Sequence, residues 1–491
     1  MTGSRAQVSS FGKILYRAAF LLAEFYMLVN CGKGILKGYG AYRNFSYKAA
    51  LVLLAVALVY GIMTLRSCHS AGHCLREFGS RFLTYEQIFL VFLLFWYILV
   101  CILVKYLFGE YRVRENEAWI FSTGITGLLF FPFANYSGAE AKQRIELLLK
   151  PVILICAVFT AWLCWQYFLM NEVTLPSGNT LIMARKPELI MGLQIGSINH
   201  NVTGRFGLAL FGLSLYMVFT QRPARKLLYA ICAVVFSVLI VLTNSRTNWY
   251  ISFLLLTLSV FLWCWNCLDR RGISFRILAS LLLAVLVAIL YRYFRVAVFR
   301  LLDLTTHFTA AGSSVQAALP PPTETGKAAD SFIRRYDPSD SSFGSRLSVY
   351  RACIRLMFSR KFIFFFGVTP SDVVRCFRTY PGVSQTYPYG HAHNFFLQMG
   401  VSYGVPVMLA TVVFSVSLFL RSVRIIFINR EKLFSGAWMV PLLTMCILAG
   451  DMVEAELNAG TGILCTVFYL FAGWTVALDR EARPESGGES K

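Results

Sequence analysis

Charge is scarce in this sequence: charged residues fill 14% of 491 positions, hydrophobic residues fill 57%, and the mean hydropathy is +0.60. A soluble domain needs more polar surface than that, so water is excluded as the main solvent. Acidic charge is scarcer still, with 25 Asp and Glu against 46 Lys and Arg and a formal net charge of +21. Basic residues gather in the short loops of helical membrane proteins through the positive-inside bias, so the excess does not imply nucleic acid, and no nucleic-acid partner is expected. The period-two alternation of an outer-membrane barrel is missing. No cleavable signal peptide is expected, because the first apolar run carries Arg17 and Glu24 and no small-residue cleavage site follows it. The 13 cysteines sit mostly inside apolar runs, where a thiol packs as a small hydrophobe, and they fix no redox compartment. Cys68-His69-Ser70-Ala71-Gly72-His73-Cys74 matches no common zinc spacing and no second ligand pair follows, so no metal is expected there.

What the sequence does have is long apolar runs, at 14–31, 49–65, 85–106, 118–134, 151–170, 206–220, 227–243, 247–267, 275–297, 394–420, 435–453 and 457–477. All but the 15-residue run 206–220 are long enough to cross a hydrocarbon core of ~30 Å as a helix. Lipid offers backbone groups no water, so each must be helical. The expected fold is an all-α polytopic membrane helix bundle of about 12 transmembrane helices, with one long external loop containing short amphipathic helices. Its expected parts are 1–205 (N-terminal membrane helices and first external loop), 206–297 (membrane helices with an external Arg hinge), 298–393 (the long loop), 394–478 (C-terminal membrane helices) and 479–491 (a cytoplasmic tail).

Arg222, Arg225 and Lys226, then Arg270, Arg271 and Arg276, then Arg421, Arg424, Arg430 and Lys432 fall in alternate short loops, which this assigns to the cytoplasm. Counting outward, 171–205, the tight connection at 244–248 and the stretch 298–393 face outside. The same count puts Lys33, Lys37, Arg43 and Lys48 outside, against the bias, so it orients only the second half of the chain.

The 298–393 loop has internal order. After Arg292, Arg295 and Arg300 comes Ala310 to Asp330, rich in small residues and holding Pro320-Pro321-Pro322, which reads as a flexible linker. Leu347, Tyr350, Ile354, Met357 and Phe358 then recur at helical spacing, with Arg346, Arg351 and Arg355 elsewhere around the turn. Phe362-Ile363-Phe364-Phe365-Phe366 follows, too short to span. The pair reads as a basic helix at the outer interface with an apolar plug, and a simple lipid anchor would have the same pattern.

Three polar groups stand at outer helix ends. Arg246 lies in Thr243-Asn244-Ser245-Arg246-Thr247-Asn248, a polar hinge between two apolar runs, where a planar fork of donors could grip diphosphate oxygens or merely anchor the hairpin. Asn199-His200-Asn201-Val202-Thr203-Gly204-Arg205 brings further donors and one cation to the same surface. His391-Ala392-His393-Asn394 ends the long loop and opens a span. An imidazole can accept a proton near neutrality, which suits activation of a sugar hydroxyl. Helix capping and metal binding by His391 and His393 are the plainer readings, the latter without a third ligand nearby in sequence.

Together these residues resemble the O-antigen ligase and polymerase-like integral membrane glycosyltransferases. Ligases of that family carry His followed by Asn, Ser or Gln, nine residues, Gly, two more, and Gly, Thr or Tyr. Here His393-Asn394, nine residues and Gly404 match, while Val407 departs. Ser245-Arg246 is similar to the family's Ser-Arg at the outer end of a hairpin, and Arg346 to its Arg opening a helix in the long loop; Asn199 or Asn201 is a looser match. The resemblance covers about residues 195 to 480, while residues 1–150 contribute only generic hydrophobicity.

The resemblance implies transfer of a glycan from a polyprenyl (undecaprenyl) diphosphate carrier to a hydroxyl acceptor on a glycan, lipid or protein. The reaction would run at the outer face of a bacterial cytoplasmic membrane, without metal, nucleotide sugar or other cofactor. His393 would be the catalytic base, and Arg246, Arg346, Arg205, Asn394 and His391 would bind substrate. A repeat-unit polymerase of the same family is the nearest alternative, since Val407 weakens the ligase match. A glycolipid flippase or transporter is the alternative of another class, although transporters usually keep ionisable residues near the midplane in broken helices.

Overall fold

The computed structural model describes residues 84–108, 130, 134, 137–169, 171–174, 180–182, 193–195, 200–312, 342–370, 372–373, 376, 392–428, 433–453, 457 and 463–483. Among these the fold is all-α apart from one small hairpin. Its elements are α1 (Tyr85–Phe108), α2 (Gly138–Phe168), β1 (Val173–Thr174) paired antiparallel with β2 (Thr180–Ile182), α3 (His200–Thr220), α4 (Pro223–Leu242), α5 (Arg246–Cys267) and α6 (Ile273–Gly312). They continue with α7 (Ser342–Met357), α8 (Lys361–Phe366), α9 (Phe395–Tyr403), α10 (Val405–Val423), a π-turn at Arg424–Ile428, α11 (Met439–Asp451) and α12 (Ile463–Ala482). Among the described residues 8 helices are long and apolar enough to cross a membrane. The runs at 14–31, 49–65 and 118–134 lie essentially outside the described residues.

Three expectations change. The run 394–420 is not one helix: Gly404, at φ +96, separates α9 from α10, and a Cβ there would collide with the carbonyl of Phe365. Only glycine accepts that φ without strain and that contact without a clash. Nine residues make about 13 Å of helix, less than half a bilayer core. Second, α2 starts at Gly138 rather than near 151. Its polar first turns are held by the Ser137 cap and an Arg144–Glu140 ion pair at 2.8 Å, a local stabilisation that hydropathy does not register. Third, α7 buries Val349, Ala352, Cys353, Leu356 and Met357, while Leu347, Ile354 and Phe358 are exposed beside Arg351 and Arg355. Both faces are apolar, and the one that carries Val349, Ala352, Cys353, Leu356 and Met357 packs on α9.

Connections at 221–222, 243–245 and 268–272 are short enough to make α3 to α6 run up and down. Most of their packing joins one large apolar core, which α11 and α12 complete. Side-chain contacts sort the helix ends into two sets. At one end Trp438, just before α11, meets Phe219 near the end of α3 (ring centroids 5.2 Å), and Glu481 of α12 accepts the Gly138 N–H of α2 (2.9 Å). The basic connections that hold Arg222, Arg225, Arg270 and Arg271 belong to this end. At the other end lie the starts of α3 and α5 and the end of α11: Asn248 donates to the Asn201 carbonyl (2.9 Å), and a Cβ on Gly450 would sit 3.1 Å from Ile251.

The basic end is tied by buried charge. Arg421 donates to Glu86 (Nε–Oε1 2.7 Å, Nη2–Oε2 3.1 Å) and to Asp479 (2.7 Å), which also accepts from Arg424 (2.8 and 3.0 Å) and Arg483 (2.8 Å). Both carboxylates are fully buried, and Arg421 is 13% exposed, so the tie across α1, α10 and α12 is only weakly screened; Arg424 and Arg483, at 36% and 54%, are screened by solvent and add less. Sequence reading took Arg421 and Arg424 as loop cations of the positive-inside bias; they instead close α10 and its π-turn against carboxylates. Neutralising Asp479 leaves Arg421 with Glu86 alone while Arg424 and Arg483 reach solvent, so the cost falls below the roughly 3–5 kcal/mol of breaking a fully buried pair. Asp479→Asn therefore lowers the melting temperature of the detergent-purified protein; a melt unchanged from the parent would show that the network contributes no stability.

Candidate functional site

Arg246 is the first residue of α5, half-buried at the tip of the α4–α5 hairpin. The hairpin is tight because Asn244 takes a left-handed conformation, φ +52, which asparagine tolerates better than most residues. Ser245 follows in an extended conformation, and its hydroxyl accepts from Asn248 (2.8 Å), whose amide also donates to the Asn201 carbonyl at the start of α3. The α5 N–H groups and dipole thus open towards the same end as the guanidinium, an arrangement suited to an anion.

Arg205 sits in the second turn of α3, buried at 6% exposure. Its helix reaches the hairpin closely because residue 204 is glycine: a Cβ there would lie 2.5 Å from Asn248 Nδ2 and 2.9 Å from Thr243 Oγ1. The segment 193–195 closes over this junction, with Leu193 N–H on the Leu242 carbonyl (2.9 Å) and Ile195 N–H on the Thr203 hydroxyl (3.2 Å).

His393 lies at the mouth of α9, 8% exposed and at φ +49. Asn394 is the N-cap: its Oδ1 accepts from Leu397 N–H (3.0 Å), and its Nδ2 donates to the Met452 carbonyl (2.7 Å) at the end of α11. On the other side of His393, the Ala392 N–H donates to Gln398 Oε1 (2.7 Å), and Gln398 Nε2 donates to Ser402 (3.0 Å). The His393 carbonyl accepts from the Tyr350 hydroxyl of α7 (3.0 Å). A second small core joins α7 to this mouth, with Val349, Ala352, Cys353, Leu356 and Met357 against Ala392, Val401 and Val405. Burial there pushes the Cys353 thiol up to about 12, so it is a packing residue without nucleophilic character at neutral pH.

The two halves meet through the end of α11. Gly450 packs on Ile251, five residues beyond Arg246, and Met452 holds Asn394. Arg205, Arg246, His393 and Asn394 thus belong to one end of the bundle, opposite the basic connections. Arg346 lies in the first turn or so of α7, with its side chain outside the described residues, as are His391, Asn199 and the Cys68–Cys74 segment. Among the described residues no three His, Cys, Asp or Glu side chains come together in a way that could hold a metal.

Tyr350, Gln398 and Asp451 were not foreseen. Gln398 and Asp451 each take up a backbone N–H, Asp451 that of Leu457 (3.0 Å). Polar side chains within otherwise apolar helices were the available signal.

Residues 231–412 match the family model described as O-antigen ligase. That stretch is similar to the O-antigen ligase family, and the 8 long apolar helices among the described residues make the chain a multi-pass membrane protein. The matched segment runs from within α4 into α10 and includes Arg246, Arg346, His393 and Asn394, while Arg205 precedes it. No curated protein matches the chain.

Asn394 carries two roles at this junction, cap and tie, so Asn394→Ala loses both and costs about 1–2 kcal/mol. Asn394→Ser keeps a cap acceptor and loses less. Thermal melting in detergent should rank parent, Ser and Ala in that order, and equal melts for Ser and Ala would deny the capping role.

Proposed function

We propose that this protein is a ligase-type glycosyltransferase that moves a glycan from a polyprenyl diphosphate carrier to a hydroxyl acceptor in surface polysaccharide assembly. The observation that carries this reading is the gathering of Arg205, Arg246, His393 and Asn394 at one bundle end, within or beside a segment of O-antigen ligase type. The opposite end carries the basic connections, which the positive-inside bias assigns to the cytoplasm, so the reaction faces outward across the bacterial cytoplasmic membrane.

In this reading the carrier enters sideways from the bilayer, with its tail against the apolar helices. Its diphosphate meets Arg246 at the α5 N-terminus and Arg346 on α7, with Arg205 behind. As the glycosidic bond breaks, charge grows on the diphosphate, and fixed guanidinium and N–H donors in a low-dielectric site stabilise it. His393 takes the acceptor hydroxyl proton while the oxygen attacks the anomeric carbon, so a single displacement inverts the configuration. Asn394 keeps the histidine's loop on the helix mouth. The acceptor, a glycan, lipid or protein hydroxyl, arrives from outside.

The ligase form is favoured over a polymerase by the His393-Asn394 spacing to Gly404. That glycine has a structural reason, since it makes the bend that turns α9 into α10. Val407, the departure from the ligase pattern, is what keeps repeat-unit polymerisation as the second reading.

The test is transfer by the purified protein from a polyprenyl-diphosphate glycan to candidate acceptors. Losing a general base costs about 10²–10⁴ in rate and losing a charge-stabilising donor about 10²–10³, so His393→Ala should fall at least as far as Arg246→Ala and Arg346→Ala. Parent-like transfer by all three folded variants would refute the site.

A further inference from the structure

We propose that Tyr350 is a positioning residue: its hydroxyl, on the helix that bears Arg346, holds His393 in the backbone conformation that aims the imidazole for reaction. This rests on the reading of His393 as the base.

A residue with a Cβ in the left-handed region costs about 1–2 kcal/mol, so the φ of +49 at His393 must be enforced by its surroundings. Three ties do so. Gln398 takes the N–H of the preceding residue, and Asn394 fixes the following one to Met452. Tyr350 takes the carbonyl of His393 itself, at 3.0 Å.

The first two ties come from α9 and the end of α11, and so from the membrane bundle. Tyr350 alone of the three comes from α7, one helical turn beyond Arg346 and next to the apolar side chains that dock α7 on α9. Its phenol ring serves that packing, but its hydroxyl does not; packing needs no donor pointed at a strained carbonyl. The bond makes the aim of His393 depend on α7 being seated. The helix assigned to the donor diphosphate and the histidine assigned to the acceptor proton are thereby held in one register, and a base misplaced by an ångström would lose much of its effect.

The experiment compares parent, Tyr350→Phe and His393→Ala as full-length protein in nanodiscs, with a polyprenyl-diphosphate glycan as donor and rates normalised to the folded fraction. Tyr350→Phe keeps the ring. It should melt no more than a few degrees below the parent, since one hydrogen bond contributes little net stability, hold its donor KM within about twofold, and lose about 10- to 100-fold in kcat. A kcat within about twofold of the parent overturns the proposal. So does a raised donor KM at unchanged kcat, which would make Tyr350 a donor-binding residue. The two readings fail separately: an inactive His393→Ala with a parent-like Tyr350→Phe removes only the positioning role, whereas a fully active His393→Ala removes the base and this proposal with it.

Discussion

Hydrocarbon offers no water to a backbone N–H or C=O that leaves a helix, so each break in the bundle must bring its own partners. The breaks described above do this with side chains. Asn248 takes the carbonyl of Asn201, Thr203 the N–H of Ile195, Asp451 the N–H of Leu457, Gln398 the N–H of Ala392, and Tyr350 the carbonyl of His393. Asn394 serves two breaks at once. The same requirement brings polar residues to the helix ends and fixes their geometry. The groups that satisfy the backbone also hold His393 and the Arg246 hairpin in position.

Both ends of the bundle carry arginine. At the basic end the guanidinium of Arg421 is matched by the buried carboxylates of Glu86 and Asp479, and the result is a mechanical tie between α1, α10 and α12. At the other end Arg205 lies in the second turn of α3 and Arg246 opens α5, whose N-terminus favours a negative guest. Gly204 lets α3 approach Asn248 and Thr243, and Gly404 lets the α9–α10 bend lie against Phe365 of α8; a side chain at either glycine would push the elements apart.

Much of this was legible beforehand. The apolar runs of α1, of α3 to α6 and of α12, the Arg246 hinge and the opening of a helix at Asn394 follow from hydropathy, turn chemistry and capping preference, all of which act over a few residues. The remainder depends on contacts distant in sequence. Hydropathy cannot see that Gly404 breaks an apolar run, because both sides of the break are equally apolar. It cannot choose between the two apolar faces of α7, since α9 makes that choice. Nor can it pair Arg421 with Glu86, 335 positions away. Tyr350 fits the helical period without declaring what its hydroxyl meets. The β1–β2 hairpin and the early start of α2 were missed because short strands and charged helical turns leave little periodic signal.

The central claim is that the start of α3 and the helix α7 open to one aqueous face while the α3–α4 connection opens to the other. Single cysteines at Val202, Leu347 and Arg225, introduced where the native cysteines have been replaced, report this directly through labelling with a membrane-impermeant maleimide. All three positions are exposed. In intact spheroplasts Val202→Cys and Leu347→Cys should label, and Arg225→Cys should label only after permeabilisation. Labelling of 202 and 347 from opposite faces would contradict the account.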